Sequence, residues 1–382
     1  MKHTRTGGLV ALASMGIVSS LALSACGSNS NGATAASTSS SAAGAATGSA
    51  ATGSSAAGGS TTCASGSLSG AGSSFQGPMQ QQWAKDFAAK CSGAKVDYQP
   101  VGSGAGIQQF GAGTVDFAGS DVPMKTDEQA TADKTCGSPA WHLPISAGGV
   151  GVTWNLPGVT DLTFSAATLA DIFDGKLKTW NDPEIKADNP SATLPSTPIS
   201  VVYRADSSGT NAVFTGYLDA AAKANWKLGT GKTITWPAGQ GAQKSAGVAA
   251  AVKQTPGAIT YVEQAFATTN QLPLAKIKNG STAVALTTDS VTAAIAGATI
   301  SGTGNLVATV NYAPTDPKAY PISTLTYVIV CSKYKSASKV PLLKAYLGYA
   351  AGAGQAAATG LGFAPLPSAI ADKVATSIAA IS

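Results

Sequence analysis

Ile199-Ser200-Val201-Val202-Tyr203-Arg204-Ala205-Asp206-Ser207-Ser208-Gly209-Thr210 joins an apolar, β-branched run to a segment, Asn211 to Ala222. In that segment Val213, Phe214, Tyr217, Leu218 and Ala221 recur at helical spacing. The stretch therefore reads as a strand-to-helix turn. Such a turn aims free backbone N–H groups and the positive end of the helix dipole at one spot. Ser208 and Thr210 add hydroxyl donors, and Gly209 lets backbone approach a ligand closely. Arg204 brings a planar fork of donors and a permanent positive charge. These groups suit a small oxyanion. Asp206 suits it only as the partner that orients Arg204. Ser, Thr and Asp are also ordinary capping residues, so this stretch alone fits a capped helix with a surface ion pair equally well.

Three more turns share this character. Gly70-Ala71-Gly72-Ser73-Ser74-Phe75 leads into Pro78 to Lys90, where Met79, Trp83 and Phe87 lie four apart on one helical face. Gly102-Ser103-Gly104-Ala105-Gly106 follows the strand-like Val96 to Tyr98 and precedes a helix start at Ile107 to Phe110. Gly119-Ser120-Asp121-Val122-Pro123 ends the strand-like Val115 to Ala118. Strands alternate with helices, which predicts an α/β architecture with a mainly parallel sheet. Ligands of such sheets sit beyond the carboxyl ends of the strands, where Ser74, Ser103 and Asp121 fall.

Other chemistries lack their signatures. None of the glycine-rich turns continues into Gly-Lys-Ser/Thr, so a P-loop is excluded, and no dinucleotide fingerprint is complete. No Gly-x-Ser-x-Gly nucleophile elbow occurs. Beyond His3 in the leader the chain has one histidine, His142, in a context that predicts packing at a strand edge. One histidine makes a Ser-His-Asp triad or a histidine metal site improbable, and no cofactor is expected. With 11% charged residues and a net charge of +5, the chain has no electrostatic footprint for nucleic acid.

The 382-residue chain begins with a secretion signal. Lys2 and Arg5 precede an apolar stretch, Leu9 to Leu23, too short and interrupted for a membrane span. It ends in Leu23-Ser24-Ala25-Cys26, which resembles a bacterial lipobox with Cys26 as the lipidated residue. Residues 1–25 are thus read as a lipoprotein signal peptide. Residues 26–66 read as a flexible tether, since Gly27 to Thr62 contains only Ser, Ala, Gly, Thr and two Asn. Its r.m.s. span would be on the order of 30–35 Å. Of the 5 cysteines, Cys63, Cys91, Cys136 and Cys331 remain after Cys26. An even number in an exported chain predicts two disulfides, with three possible pairings. Cys63 before a strand and Cys91 after the next helix favour Cys63–Cys91 with Cys136–Cys331.

Taken together, the four turns resemble the phosphate-binding protein of the bacterial phosphate ABC transporter. So do Leu169-Ala170-Asp171-Ile172-Phe173-Asp174-Gly175-Lys176, Thr179-Trp180-Asn181-Asp182-Pro183-Glu184-Ile185, Pro256-Gly257-Ala258-Ile259 and Tyr261-Val262-Glu263. The resemblance runs from Ser67 to the C-terminus. It implies a type II periplasmic-binding-protein fold, with two α/β lobes joined by a two-crossing hinge and the ligand in the cleft. Lobe I would comprise residues 67–147 and 319–382, and lobe II residues 148–318. By the same resemblance, phosphate would be held by Ser74, Phe75, Ser103, Asp121, Arg204, Ser208, Gly209 and Thr210, with Asp206 orienting the arginine. Ser74 stands where Thr is common, Ser207 where Gly is common and Thr260 where Gly precedes the Tyr. The implied partners are inorganic phosphate, the permease and ATPase subunits of an importer, and the membrane through a lipid on Cys26. The alternatives are another tetrahedral oxyanion such as sulfate, a surface antigen or adhesin, and a phosphoesterase on the same fold. The last lacks a base and a metal cluster.

Overall fold

The computed structural model of the chain describes residues Thr62–Ser382. The expected signal peptide, the lipidation site Cys26 and nearly all of the expected tether lie outside the described residues. The tether's last residues do not hang free. Cys63 is bonded to Cys91, and Gly66 already belongs to the first strand.

The chain starts as alternating strands and helices. In order these are β1 (Gly66–Gly72), α1 (Gly77–Lys90), β2 (Ala94–Pro100), α2 (Ser103–Gly111), β3 (Phe117–Ser120), α3 (Thr126–Cys136) and the long β4 (Ala140–Trp154). A second series follows: β5 (Thr163–Phe164), α4 (Ala166–Phe173), α5 (Pro183–Asp188), β6 (Ser200–Arg204), α6 (Gly209–Ala221), β7 (Gln240–Ala242), α7 (Lys244–Gln254), β8 (Ala258–Glu263) and α8 (Gln264–Thr269). Then come β9 (Lys276–Asn279), β10 (Thr282–Val284), α9 (Thr288–Ala296), β11 (Thr299–Ser301) and β12 (Val307–Thr309). The chain ends with β13 (Ser323–Cys331), α10 (Val340–Ala351), α11 (Gln355–Gly360) and α12 (Ser368–Ala380).

Eight strands form one curled sheet in the order β2-β1-β3-β13-β4-β8-β6-β7. Strands β2, β1 and β3 are mutually parallel, and β13 runs antiparallel between β3 and β4. Strand β4 changes partner midway. It pairs with β13 through Gly149 and with β8 from Val150 onward. Strands β6 and β7 run parallel to β8, and β8 runs antiparallel to β4. The two parallel sets therefore point at each other, and their carboxyl ends meet beside Gly149–Val150. This is the two-lobed periplasmic-binding-protein architecture, with β4 running from one set of strands into the other.

Packing follows the sequence pattern. Met79, Trp83 and Phe87 are fully buried on one face of α1, whose start is set by Pro78. Val213, Phe214, Tyr217 and Leu218 do the same for α6. Helix α2 begins at Ser103, one turn earlier than the apolar pattern at Ile107 predicts. The glycines of Gly102-Ser103-Gly104-Ala105-Gly106 hid that first turn, because close packing rather than propensity makes it helical. Gly104 and Gly106 are buried, and a Cβ on Gly106 would lie 2.3 Å from the Gly72 backbone. The hairpin of β11 and β12 reaches back to the first set of strands. Leu306 donates its N–H to the His142 carbonyl, and Ala308 donates to the Tyr327 hydroxyl. His142 is buried, accepting the Met124 N–H at 2.9 Å, with Asn305 on its other ring nitrogen. Burial holds the His142 pKa below its ordinary value despite the Asn305 bond.

The two disulfides pair as the chain order suggested, Cys63–Cys91 and Cys136–Cys331. They span 28 and 195 residues respectively. On loop-closure entropy the longer one constrains the unfolded chain more, by about 2 kcal/mol. Replacing Cys136 and Cys331 with Ala should therefore lower the denaturation midpoint further than replacing Cys63 and Cys91. Equal shifts in urea titrations would refute this ordering.

Candidate functional site

The site is built where the opposed carboxyl ends meet. Arg204 is the last residue of β6 and is 4% exposed. Its Nε and Nη2 donate to the two carboxylate oxygens of Asp206 at 2.8 and 2.6 Å. Its Nη1 donates to Thr210 Oγ1 and Ser245 Oγ, each at 3.1 Å. Burial works against the Arg204 charge, but the Asp206 bonds and charge outweigh it and raise the pKa. Burial likewise works against the Asp206 carboxylate, and Arg204 overcomes it, leaving the pKa below its ordinary value. The Lys244 backbone N–H adds a bond to Asp206 at 2.9 Å.

Helix α6 starts directly beyond this pair. Ser208 is its N-cap and accepts the Asn211 N–H, so its oxygen performs ordinary capping. The Ser208 N–H donates to the Lys232 carbonyl, while the Lys232 ammonium meets Glu128 on α3 at 2.6 Å. Gly209 and Thr210 form the first turn, whose N–H groups have no intrahelical partner. The opposite wall is close. A Cβ on Gly209 would lie 2.4 Å from both Asp121 Oδ2 and Ser103 Oγ, so glycine is required there. Gly104 approaches Ser207 as closely, and its N–H donates to the Ser207 carbonyl at 2.9 Å.

Asp121 follows β3 and is 1% exposed. Three hydroxyls face its carboxylate. Ser73 Oγ lies 2.6 and 2.8 Å from its two oxygens, Thr326 Oγ1 lies at 2.8 Å and Ser103 Oγ at 3.2 Å. Burial nonetheless dominates and, with the charge of Glu263, raises its pKa from 3.8 to about 6, against the pull of Ser73, Thr326 and Arg204. Ser74 Oγ lies 2.9 Å from Ser245 Oγ and accepts the Ser245 N–H. The Phe75 side chain does not enter the site. It packs on Phe363 with ring centroids 5.0 Å apart, leaving only its backbone for ligand contact.

Ser74, Ser103, Asp121, Arg204, Asp206, Ser208, Gly209 and Thr210 thus fall into one connected buried cluster. Four members escaped the sequence reading: Ser73, Ser245, Glu263 and Thr326. Ser245 stands in the first turn of α7, after the short strand β7, where no glycine-serine pattern marks the turn. Thr326 lies inside an apolar strand, and Glu263 ends β8, in a stretch whose resemblance to the family gave it no role. Lys244, the first residue of α7, has φ +64°, and this left-handed conformation is the visible local irregularity there. Among the described residues no group of His, Cys, Asp and Glu is arranged to hold a metal, and no helix is long and apolar enough to cross a membrane.

The Asp121 shift has a stability consequence with a definite sign. Its folded pKa lies above its unfolded value, so its contribution is present at low pH and lost as pH rises through about 6. A rise of that size corresponds to about 3 kcal/mol. From about pH 3 to pH 7, unligated Asp121→Asn should gain about that much stability relative to wild type. A difference independent of pH in denaturant titrations would show that Asp121 is not desolvated.

Comparison with known proteins agrees with this geometry. The PBP superfamily domain matches residues 37–353. The chain is 41% identical to phosphate-binding protein PstS 3 of Mycobacterium tuberculosis over 100% of both chains. It is 37% identical to phosphate-binding protein PstS of Pasteurella multocida, over 81% of this chain and 88% of that one. The solved phosphate-bound structure of the high-affinity periplasmic phosphate-binding protein PfluDING superposes with a TM-score of 0.67 at 22% identity. That superposition covers 81% of this chain and 92% of the other. Full-length identity, the two-lobed fold and the buried polar cluster between the lobes lead to one assignment: the chain belongs to the PstS family of phosphate-binding proteins.

Proposed function

We propose that the chain is an extracytoplasmic, lipid-anchored solute-binding protein. It captures inorganic phosphate between its lobes and delivers it to the permease and ATPase subunits of an ABC importer. The observation that carries this reading is the enclosed Arg204 guanidinium. It is held by Asp206 and ends among Thr210 and Ser245, in the cluster that Asp121 joins from the opposite wall. The names of the relatives, all phosphate-binding proteins, support the same ligand. Lobe I is residues 67–147 with 319–382, and lobe II is residues 148–318. The partner change of β4 at Gly149–Val150 supports that division.

Phosphate would take the first-turn N–H groups of α6, the hydroxyls of Ser74, Ser103 and Ser208, the backbone at Phe75, Gly209 and Thr210, and Arg204. Contacts from both lobes exist only in the closed form, so binding favours closure. Asp121 sets the anion. Above about pH 6 it is ionised and offers an acceptor to a protonated phosphate oxygen. Sulfate brings no proton and meets only like charge, which disfavours it. Cys26 and the tether would hold the protein at the outer face of the membrane.

Calorimetric titration at neutral pH should show phosphate binding and sulfate rejection. Arg204→Ala should lose roughly 2–5 kcal/mol of phosphate affinity, and Arg204→Lys much of it, since a point charge does not replace the fork. Near-normal affinity in Arg204→Ala, or equal competition by sulfate, would overturn the site. Separately, Cys26→Ala should release the protein from membrane fractions, and unchanged retention would remove the lipid anchor.

A further inference from the structure

Lys232 lies in the loop between α6 and β7, and its side chain is only 6% exposed. Its ammonium reaches across to Glu128 Oε2 on α3 at 2.6 Å and makes no other ion pair among the described residues. Both partners are tied to the parts of their own walls that carry site residues. On one side, Glu128 stands in the first turn of α3. The same Oε2 accepts the Lys125 N–H at 2.8 Å in a capping box. Only Val122, Pro123 and Met124 separate that cap from Asp121.

On the other side, three bonds fasten the Lys232 loop to the start of α6. The Ser208 N–H donates to the Lys232 carbonyl at 2.8 Å, and the Asn211 amide donates to the Gly231 carbonyl at 2.8 Å. The Gly231 N–H donates to the Thr215 hydroxyl at 3.2 Å. Ser208 is the N-cap directly before Gly209 and Thr210. A displacement of the Lys232 ammonium is therefore passed to the turn that follows Arg204.

A buried ion pair need add no net stability, because desolvation offsets the attraction. Its effect is on geometry. An ammonium buried this deeply is costly wherever no carboxylate meets it. Arrangements of the two walls that bury Lys232 without Glu128 opposite are thus penalised, and one register remains.

We propose that Lys232 and Glu128 are positioning residues: their ion pair sets the register in which the wall carrying Arg204 to Thr210 meets the wall carrying Asp121, and so slows the release of phosphate that neither residue touches. This rests on the phosphate reading of the site and adds residues outside its ligand set.

Stopped-flow and calorimetric measurements with inorganic phosphate test it. Glu128→Gln keeps an acceptor for the Lys125 N–H but leaves the ammonium without a counter-charge. Its phosphate affinity should fall about ten- to hundredfold, through faster release at a nearly unchanged association rate. Lys232→Met leaves a carboxylate whose side chain is 21% exposed and open to water, so its loss should be smaller. In the Lys232→Met background, Glu128→Gln should cost nothing further, since no buried charge is left unanswered. Should Glu128→Gln fail to fold, Glu128→Asp, which withdraws the carboxylate from the ammonium, takes its place with the same expectations. A Glu128 cost that persists in the Lys232→Met background would show local damage to α3 and overturn the assignment. Unchanged release in the folded single variants would overturn it too, while phosphate binding stood. Absence of phosphate binding by the wild type would overturn the phosphate reading and this inference with it.

Discussion

The site depends on β4 being one unbroken strand with two sets of partners. Its first ten residues, Ala140 to Gly149, pair with β13, and its last five, Val150 to Trp154, with β8. Because β8 runs against β4, and β6 and β7 follow β8, the second parallel set must point back at the first. Carboxyl ends of parallel strands carry loops and helix N-termini. Opposing two such ends brings the N-termini of α2, α6 and α7 onto one small volume. Gly148 and Gly149 make this passage possible. A Cβ at Gly148 would strike Phe75, and one at Gly149 would strike Leu286.

Burying charge there is expensive unless each charge is answered. Arg204 is answered by Asp206 through two short bonds, and its third edge is shared between Thr210 and Ser245. Asp121 is answered only by hydroxyls, which soften but do not cancel its desolvation, and its pKa stays near 6. The two acids thus behave differently because one has a full cation and the other only dipoles. That difference matters for an anion ligand. The paired acid locks the guanidinium in place, while Asp121 is held by hydroxyls alone.

The walls of the cleft also touch each other directly. Ser74 meets Ser245, Gly104 meets Ser207, and Lys232 meets Glu128. Lys232 is tied to the turn before α6 as well, since its carbonyl holds the Ser208 N–H. Apart from the lysine pair these are neutral contacts of small groups. Neutral hydrogen bonds contribute about 1 kcal/mol each, so these contacts hold the two walls together only weakly.

The sequence by itself determined the local pieces. Apolar spacing marked α1 and α6, a β-branched run marked β6, and Gly-Ser turns marked Ser74, Ser103 and the stretch from Arg204 to Thr210. These were legible because helix period, strand propensity and turn chemistry act over a few residues. The expected lipobox and tether are equally local readings, and the lipobox and nearly all of the tether lie outside the described residues. Only the tertiary structure decided which far-apart residues complete the site. Ser245 lies 171 residues from Ser74, Thr326 lies 205 from Asp121, and Glu263 lies 53 from Thr210. No local rule makes a threonine within β13 a partner of Asp121, or makes the acid ending β8 the holder of a hydroxyl proton. Those roles follow from strand order and direction, which are set by long-range pairing and the burial it permits, so chain neighbours could not reveal them.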